Sequence, residues 1–440
     1  MNAPAVDSPG VNPVPRGQTP PVHRTTLTTG FDFTTLSRWP YPESPGLQAH
    51  DAADVLLLDT AQAWWDAASR DDGDSLSPAV PVVVVEDRHG ALTLPLLTAG
   101  HPVRIGQDAL AQERSLEANV ATFRDAGALE DAGPLSRHGI GPDLVAGARM
   151  ILLQLPRSLD ALEQWAHLIA DHAHEDVLLL AGGRDKHMTP RQNTVLERYF
   201  GSVVPGRGRS KSRVITARGP RRGRPAPFPR TAEHQVPGLG PVTLSAHGAT
   251  FGGTNLDPGT ALLLRSWESD LRRGGHEGDS QTGAGRNRAV DVGCGNGTIA
   301  VYLALASRRS RLDGPAGLNG LSVIATDQSA DACASTRLTA ALNGVQDRIE
   351  IRRDDALSTF PDASEDLFVL NPPFHAGNTV DTRVAVRLMA ASARVLRPGG
   401  ELWCVWNSHL MYRPELERLV GPTRQLARDR TFTVTVSTRR

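Results

Sequence analysis

Short aliphatic runs separated by segments of helical period set the strongest limit on how this chain can fold. VPVVVVED (Val80–Asp87), RMILLQLP (Arg149–Pro156) and DVLLLAGG (Asp176–Gly183) are aliphatic or β-branched on consecutive residues, without polar alternation. Such runs suit strands covered on both faces. DVLLLD (Asp54–Asp59) reads the same way. In SLDALEQWAHLIADHA, Leu159, Leu162, Trp165, Ala166 and Ile169 share one helical face behind Ser158 as N-cap. TPRQNTVLERYFG predicts another helix, capped by Thr189, with Pro190 in its first turn and Gly201 at its end. Strand alternating with helix implies a parallel, doubly wound α/β sheet. At 440 residues the chain is too long for one ordinary domain.

The second half repeats the alternation. Asp257 as N-cap and Pro258 in the first turn open a helix over GTALLLRSW, and a glycine-rich loop follows from Arg272 to Asn287. AVDVGCGNGTIAVYLALA then reads as strand, turn and helix. LSVIATD (Leu321–Asp327), IEIRRDDAL, DLFVLNPPF and GELWCVWNSH supply further strands, with a helix between Ser329 and Gly344 and another over VAVRLMAASARVL. RTFTVTVSTR alternates and suits an antiparallel closing strand.

Composition excludes several classes. Cys294, Cys333 and Cys404 are far apart and unpaired in spacing, which argues against a disulfide framework or a zinc site and suits a reducing cytosol. No apolar run approaches the ~18 residues of a membrane span. Residues 1–27 include a proline-rich stretch without the apolar core of a signal peptide, and read as a disordered tail. A net charge of -1 leaves any attraction to nucleic acid local. The local candidate is the arginine-rich segment from Arg207 to Arg230, which meets no acidic residue until Glu233. Gly219–Gln235 reads as a linker between domains, serving either as a solvated hinge or as a phosphate-contacting segment.

DVGCGNG (Asp291–Gly297) sits where the first strand of the second half turns into a helix. In a dinucleotide fingerprint the third glycine would fall at Thr298, so that pattern fails. D-x-G-x-G-x-G instead resembles the first motif of class I methyltransferases, which bind S-adenosylmethionine. The resemblance implies that Asp291, Gly293 and Gly295 surround the methionine moiety. Asp327 ends the second strand, where its carboxylate can accept both ribose hydroxyls. After the third strand, Asp355 is placed to meet the adenine amino group and Ala356 offers a backbone N–H.

The fourth strand ends in Asn371-Pro372-Pro373-Phe374. An exocyclic amine is a poor nucleophile because its lone pair is delocalised. The Asn371 side-chain carbonyl can accept one of its N–H groups and the Pro372 backbone carbonyl the other. The prolines hold the corner extended, and Phe374 offers a face on which a planar base can stack. His375 is left open between an RNA contact and an ordinary surface histidine.

NPPF-H downstream of DVGCGNG resembles the bacterial ribosomal-RNA guanine-N2 methyltransferases. Asn407, His409, Leu410 and Tyr412 match their N-x-H-L-x-Y run, which favours the large-subunit type. FGGTNLDPGTALLL resembles their cofactor-covering helix, with Asn255 where a glycine is usual. The resemblance implies two tandem Rossmann-like methyltransferase domains, a degenerate one at 28–218 lacking a cofactor site and a catalytic one at 236–440, flanking a basic linker at 219–235. It further implies a cytoplasmic, monomeric enzyme without metal that methylates guanine N2 in ribosomal RNA or a ribosomal subunit. Protein-glutamine and DNA-adenine amino methyltransferases use a similar corner, usually with Tyr where Phe374 stands, and a non-catalytic ribosome-assembly protein is a further alternative.

Overall fold

The computed structural model describes residues 22, 25–41, 46–68, 80–272, 288–313, 321–373 and 382–440. The proline-rich stretch up to residue 21, the loop at 273–287, and Phe374 with His375 lie outside the described residues. The chain divides into two compact units, one taking residues 1–107, 112–155 and 166–224, the other 108–111, 156–165 and 225–440.

In the first unit β1 (Val82–Val85), β2 (Val103–Gly106), β3 (Leu135–His138), β4 (Met150–Gln154), β5 (Leu178–Arg184), β6 (Phe200–Pro205) and β7 (Ser212–Pro220) form one sheet, ordered β3-β2-β1-β4-β5-β7-β6. The first five strands pair in parallel, and β7 runs antiparallel to β5 and β6. Asp54–Asp59 departs from the expected strand: it lies inside the helix Ala52–Ala68. Leu56, Leu57, Leu58, Ala61 and Trp65 are all buried, so the helix lacks the wide polar face that would have marked its period. Leu57 packs where Gly182 leaves room on β5, since a Cβ there would lie 2.5 Å from Leu57 Cγ. Thr189 and Gln192 form the capping box of the helix Pro190–Tyr199. Gly201 does not end that helix; it lies in β6, which begins at Phe200 directly after Tyr199.

The ends of this unit also differ from the sequence reading. Thr26–Thr29 is a helical turn with Leu27 buried. Thr25 N–H and Thr28 Oγ1 donate to the fully buried Asp59 carboxylate at 3.1 and 2.6 Å, and Arg209 pairs with its other oxygen. A buried carboxylate needs this many partners. The arginine run is partly structural. Arg221 donates to Glu197 O at 2.8 Å, Arg222 donates to Ala173 O, and Arg218 lies over the Trp64 ring at 4.8 Å. Arg207, Lys211 and Arg224 remain exposed. The segment read as a linker is strand at both ends, because β7 runs to Pro220 and β8 (Arg230–Val236) pairs with β9 (Gly240–Ala246) as a hairpin.

In the second unit β10 (Arg288–Val292), β11 (Ser322–Asp327), β12 (Ile349–Arg353), β13 (Glu365–Leu370), β14 (Leu396–Asn407), β15 (Thr423–Arg428) and β16 (Phe432–Thr438) form a sheet ordered β12-β11-β10-β13-β14-β16-β15, the same neighbour pattern as the first. β16 pairs antiparallel with β14, as its alternation predicts, but it does not close the sheet: β15 pairs with its other side and forms the edge. Both faces are covered: Ala289, Val323, Leu367 and Trp403 pack to one side, Val290, Ile324, Phe368 and Leu402 to the other. Trp267, on the helix Pro258–Arg272, meets Trp403 with ring centroids 4.3 Å apart. β10 lies between β11 and β13, so the chain leaves it in opposite directions and opens a crevice at the carboxyl ends of the strands.

The two sheets treat this crevice differently. Gln107 follows β2 in the register at which Asp327 ends β11. Its Nε2 donates to Asp87 O, and the Asp87 carboxylate accepts N–H groups from Gly90, Leu92 and Thr93 at 2.8–3.0 Å. The first corner is thus occupied by its own polar groups.

Candidate active site

In the second unit the turn after β10 is built to stay open. Gly293 and Gly295 have φ of 76° and 54°, which side chains rarely adopt, and a Cβ on either would meet nothing within 4 Å. Gly293 N–H and Cys294 N–H both donate to Thr326 O, at 2.8 and 2.9 Å, pinning the turn to the end of β11. Asp327 continues this bracing, accepting from Gly295 N–H at 3.1 Å and Ser329 N–H at 2.9 Å. Displacement of water raises its pKa, and those N–H groups oppose the shift. On the far side Asn296 Nδ2 donates to Gly253 O and Asn255 O at 3.0 and 3.1 Å. The segment with Asn255 in place of the usual glycine is thereby tied to the turn.

These elements surround a cavity of about 230 Å³ lined by Gly293, Gly295, Asp327, Asp355, Ala356 and Asn371, together with Phe251, Asp257, Thr260, Asn296, Pro373 and Leu388. Six of the nine residues singled out in the sequence therefore share one wall. Asp291 stands behind it. Fully buried, it accepts from Ala300 N–H at 2.9 Å through Oδ2, and its Oδ1 has no partner among the described residues. Its role is to fix the turn to the helix Thr298–Asp313 rather than to face the cavity. Pro372 is buried outside the lining, and Phe374 lies outside the described residues.

Burial pushes the Asp291 carboxyl up to about 7. An unfolded Asp holds its proton only to about pH 4. Between those values the folded chain binds the extra proton, so this group lowers stability as pH rises through the window. Asp291→Asn is expected to remove that slope. Its Tm relative to wild type should be about 2–4 °C more favourable at pH 8 than at pH 5 in calorimetry; a pH-independent difference would contradict the assignment.

The third-strand corner is held by strain and by charge. Ala356 and Leu357 are consecutive left-handed residues, φ 52° and 57°. Asp354 secures them by capping Ser358 N–H and Thr359 N–H, both at 3.1 Å. Asp355 was offered to adenine, yet both its oxygens face the Arg387 guanidinium, at 3.1 and 2.7 Å. Each oxygen retains a lone pair for a further N–H.

At the end of β13 the Asn371 amide is oriented. Its Nδ2 donates to Asp257 Oδ2 at 2.9 Å and to Thr260 Oγ1 at 3.0 Å, whereas its buried Oδ1 has no partner among the described residues. A carboxylate only accepts, so the amide nitrogen must be the end that faces Asp257. Asp257 was legible only as a helix cap, and Thr260 gave no signal of its own. Their link to Asn371 spans 114 and 111 residues, beyond any local pattern.

A family profile described as "RLMG N-terminal domain" matches residues 24–221, and one described as "Methyltransferase small domain" matches 241–436. A protein of Streptomyces coelicolor named ribosomal RNA large subunit methyltransferase G is 32% identical over 416 residues, covering 93% of this chain and 98% of the relative. The chain belongs to the ribosomal RNA large subunit methyltransferase G family. A Streptomyces avermitilis member is 31% identical over 425 residues, covering 93% of this chain and 97% of its own. Membership falls on the large-subunit side that Asn407, His409, Leu410 and Tyr412 favoured. The T. thermophilus 16S rRNA N2 methyltransferase RsmC, solved with AdoMet and guanosine, superposes with a TM-score of 0.68 at 21% identity, over 91% of this chain and 97% of that one. That likeness bears out the fold, two tandem Rossmann-like units. Among the described residues no helix is long and apolar enough to cross a membrane.

Proposed function

We propose that this chain transfers the methyl group of S-adenosylmethionine to the exocyclic N2 amine of a guanine in large-subunit ribosomal RNA. The observation that carries the reading is the buried Asn371 Oδ1, without a partner among the described residues, in a cavity that Gly293, Gly295 and Asp327 also line. In this reading Asp327 accepts the ribose hydroxyls, Ala356 N–H and the Asp355–Arg387 pair border the adenine, and the carboxylates of the wall suit a cationic sulfonium. Asn371 Oδ1 accepts one N–H of guanine N2 and the Pro372 carbonyl the other. This draws the nitrogen lone pair out of conjugation and aims it at the methyl carbon. The N–C bond forms as the C–S bond breaks, its electron pair stays on sulfur, and the amine loses a proton to solvent. Positioning supplies most of the acceleration, since the sulfonium is already reactive. Phe374 has the chemistry to stack on the base.

Tritiated-methyl transfer to undermethylated large-subunit RNA, followed by digestion to nucleosides, tests the reading. Label in N2-methylguanosine is expected; label in adenosine, in another guanine position or in protein would contradict it.

RNA attraction in the first unit falls first to Arg207, Lys211 and Arg224, exposed like Arg221 and Arg222 but without the bonds to backbone carbonyls that hold those two. Reversing these three charges is expected to weaken RNA binding and flatten the log–log salt slope by about 2–3, at ~0.7–0.9 per phosphate contact. Cofactor affinity should not change. An unaltered salt slope in filter binding would remove these residues from the RNA surface.

A further inference from the structure

Asparagine presents two nearly isosteric faces, and only one of them can receive an amine hydrogen. We infer that Asp257, with Thr260, is a positioning residue that locks the Asn371 amide carbonyl-outward for the incoming amine. The inference rests on Asn371 being the acceptor. Asp257 Oδ2 and Thr260 Oγ1 hold the amide nitrogen at 2.9 and 3.0 Å and leave Oδ1 buried without a partner among the described residues. A half-turn about the last side-chain bond would set Oδ1 against the Asp257 carboxylate, acceptor against acceptor. It would also turn two N–H donors toward the substrate, which needs an acceptor.

The lock stands on a rigid mount. Asp257 caps the helix Pro258–Arg272, with Thr260 N–H donating to Oδ2 at 2.7 Å and Ala261 N–H to its backbone carbonyl at 2.9 Å. Trp267 anchors the same helix on Trp403 of β14, the strand beside β13. Helix cap and substrate acceptor are therefore joined through one carboxylate oxygen, with the geometry set by packed elements.

Steady-state kinetics on the full chain test this. Asp257→Ser keeps a hydroxyl to cap Thr260 N–H but falls short of Asn371. It is expected to lower kcat about ten- to a hundredfold, the worth of one charge-assisted hydrogen bond, without changing KM for S-adenosylmethionine. Asp257→Asn, which keeps an acceptor at the same reach, should recover most of that rate. In an Asn371→Ala background Asp257→Ser should cost nothing further. Wild-type kcat in Asp257→Ser, an equal loss in Asp257→Asn, or an additive loss on Asn371→Ala would each overturn the lock. If Asn371→Ala alone kept wild-type kcat, the acceptor reading beneath it would fall instead.

Discussion

Asn371→Ala is expected to lower the methyl-transfer rate by about 10³-fold while shifting the affinity for S-adenosylmethionine by less than about threefold. The size follows from what the amide supplies: a preorganised acceptor whose oxygen is itself buried, and losing one such group costs about 10²–10³ in other enzymes. The selectivity follows from where the amide is tied. Its protein contacts run to Asp257 and Thr260, not to the Gly293–Gly297 turn, so truncation leaves the cofactor walls standing. Asn371→Asp sharpens the test. It is nearly isosteric but sets a second carboxylate within hydrogen-bond distance of Asp257, where two negative charges repel and one takes a proton. Its rate should fall comparably. Near-normal turnover in either variant would deny the amide its role.

Asp327→Ala is expected to produce the reverse division. Affinity for S-adenosylmethionine should fall about a hundredfold by calorimetry, with a smaller loss of kcat once the cofactor is saturating. The carboxylate is proposed to accept ribose hydroxyls, and charge-assisted hydrogen bonds contribute about 1.5–3 kcal/mol each. It also holds Gly295 N–H and Ser329 N–H, so its loss loosens the turn and the start of the helix Ala330–Leu342 together. Unchanged cofactor affinity would remove Asp327 from the ribose site.

Much of this architecture was legible because it is written locally. The buried parallel strands declare themselves as unbroken aliphatic runs. The turn at Gly293–Gly297 follows from glycines at a strand end, and Thr189 and Asp257 sit as caps where short polar side chains precede helical periods. Local reading failed where a segment is buried on nearly every side. Within Asp54–Asp59 a helix and a covered strand present the same apolar string, and only the longer window through Trp65 favours the helix. It failed again where one residue acts at long range. Asp257 as a cap can be read from its neighbours, but its hold on Asn371 exists only once two distant segments fold together. Asp355 followed the same pattern: its position after the third strand was readable, and its pairing with Arg387, 32 residues on, was not. The arginine run shows the converse limit, since sequence counts charges without showing which are spent on carbonyls and buried carboxylates.

The most direct measurement is a crystal structure of the chain with S-adenosylhomocysteine and guanosine bound. The account predicts guanine N2 within about 2.7–3.2 Å of Asn371 Oδ1, with the cofactor sulfur to one side of the base plane, along the lone pair of that nitrogen. A guanine whose N2 points away from Asn371, or an amide turned so that its nitrogen faces the base, would contradict it.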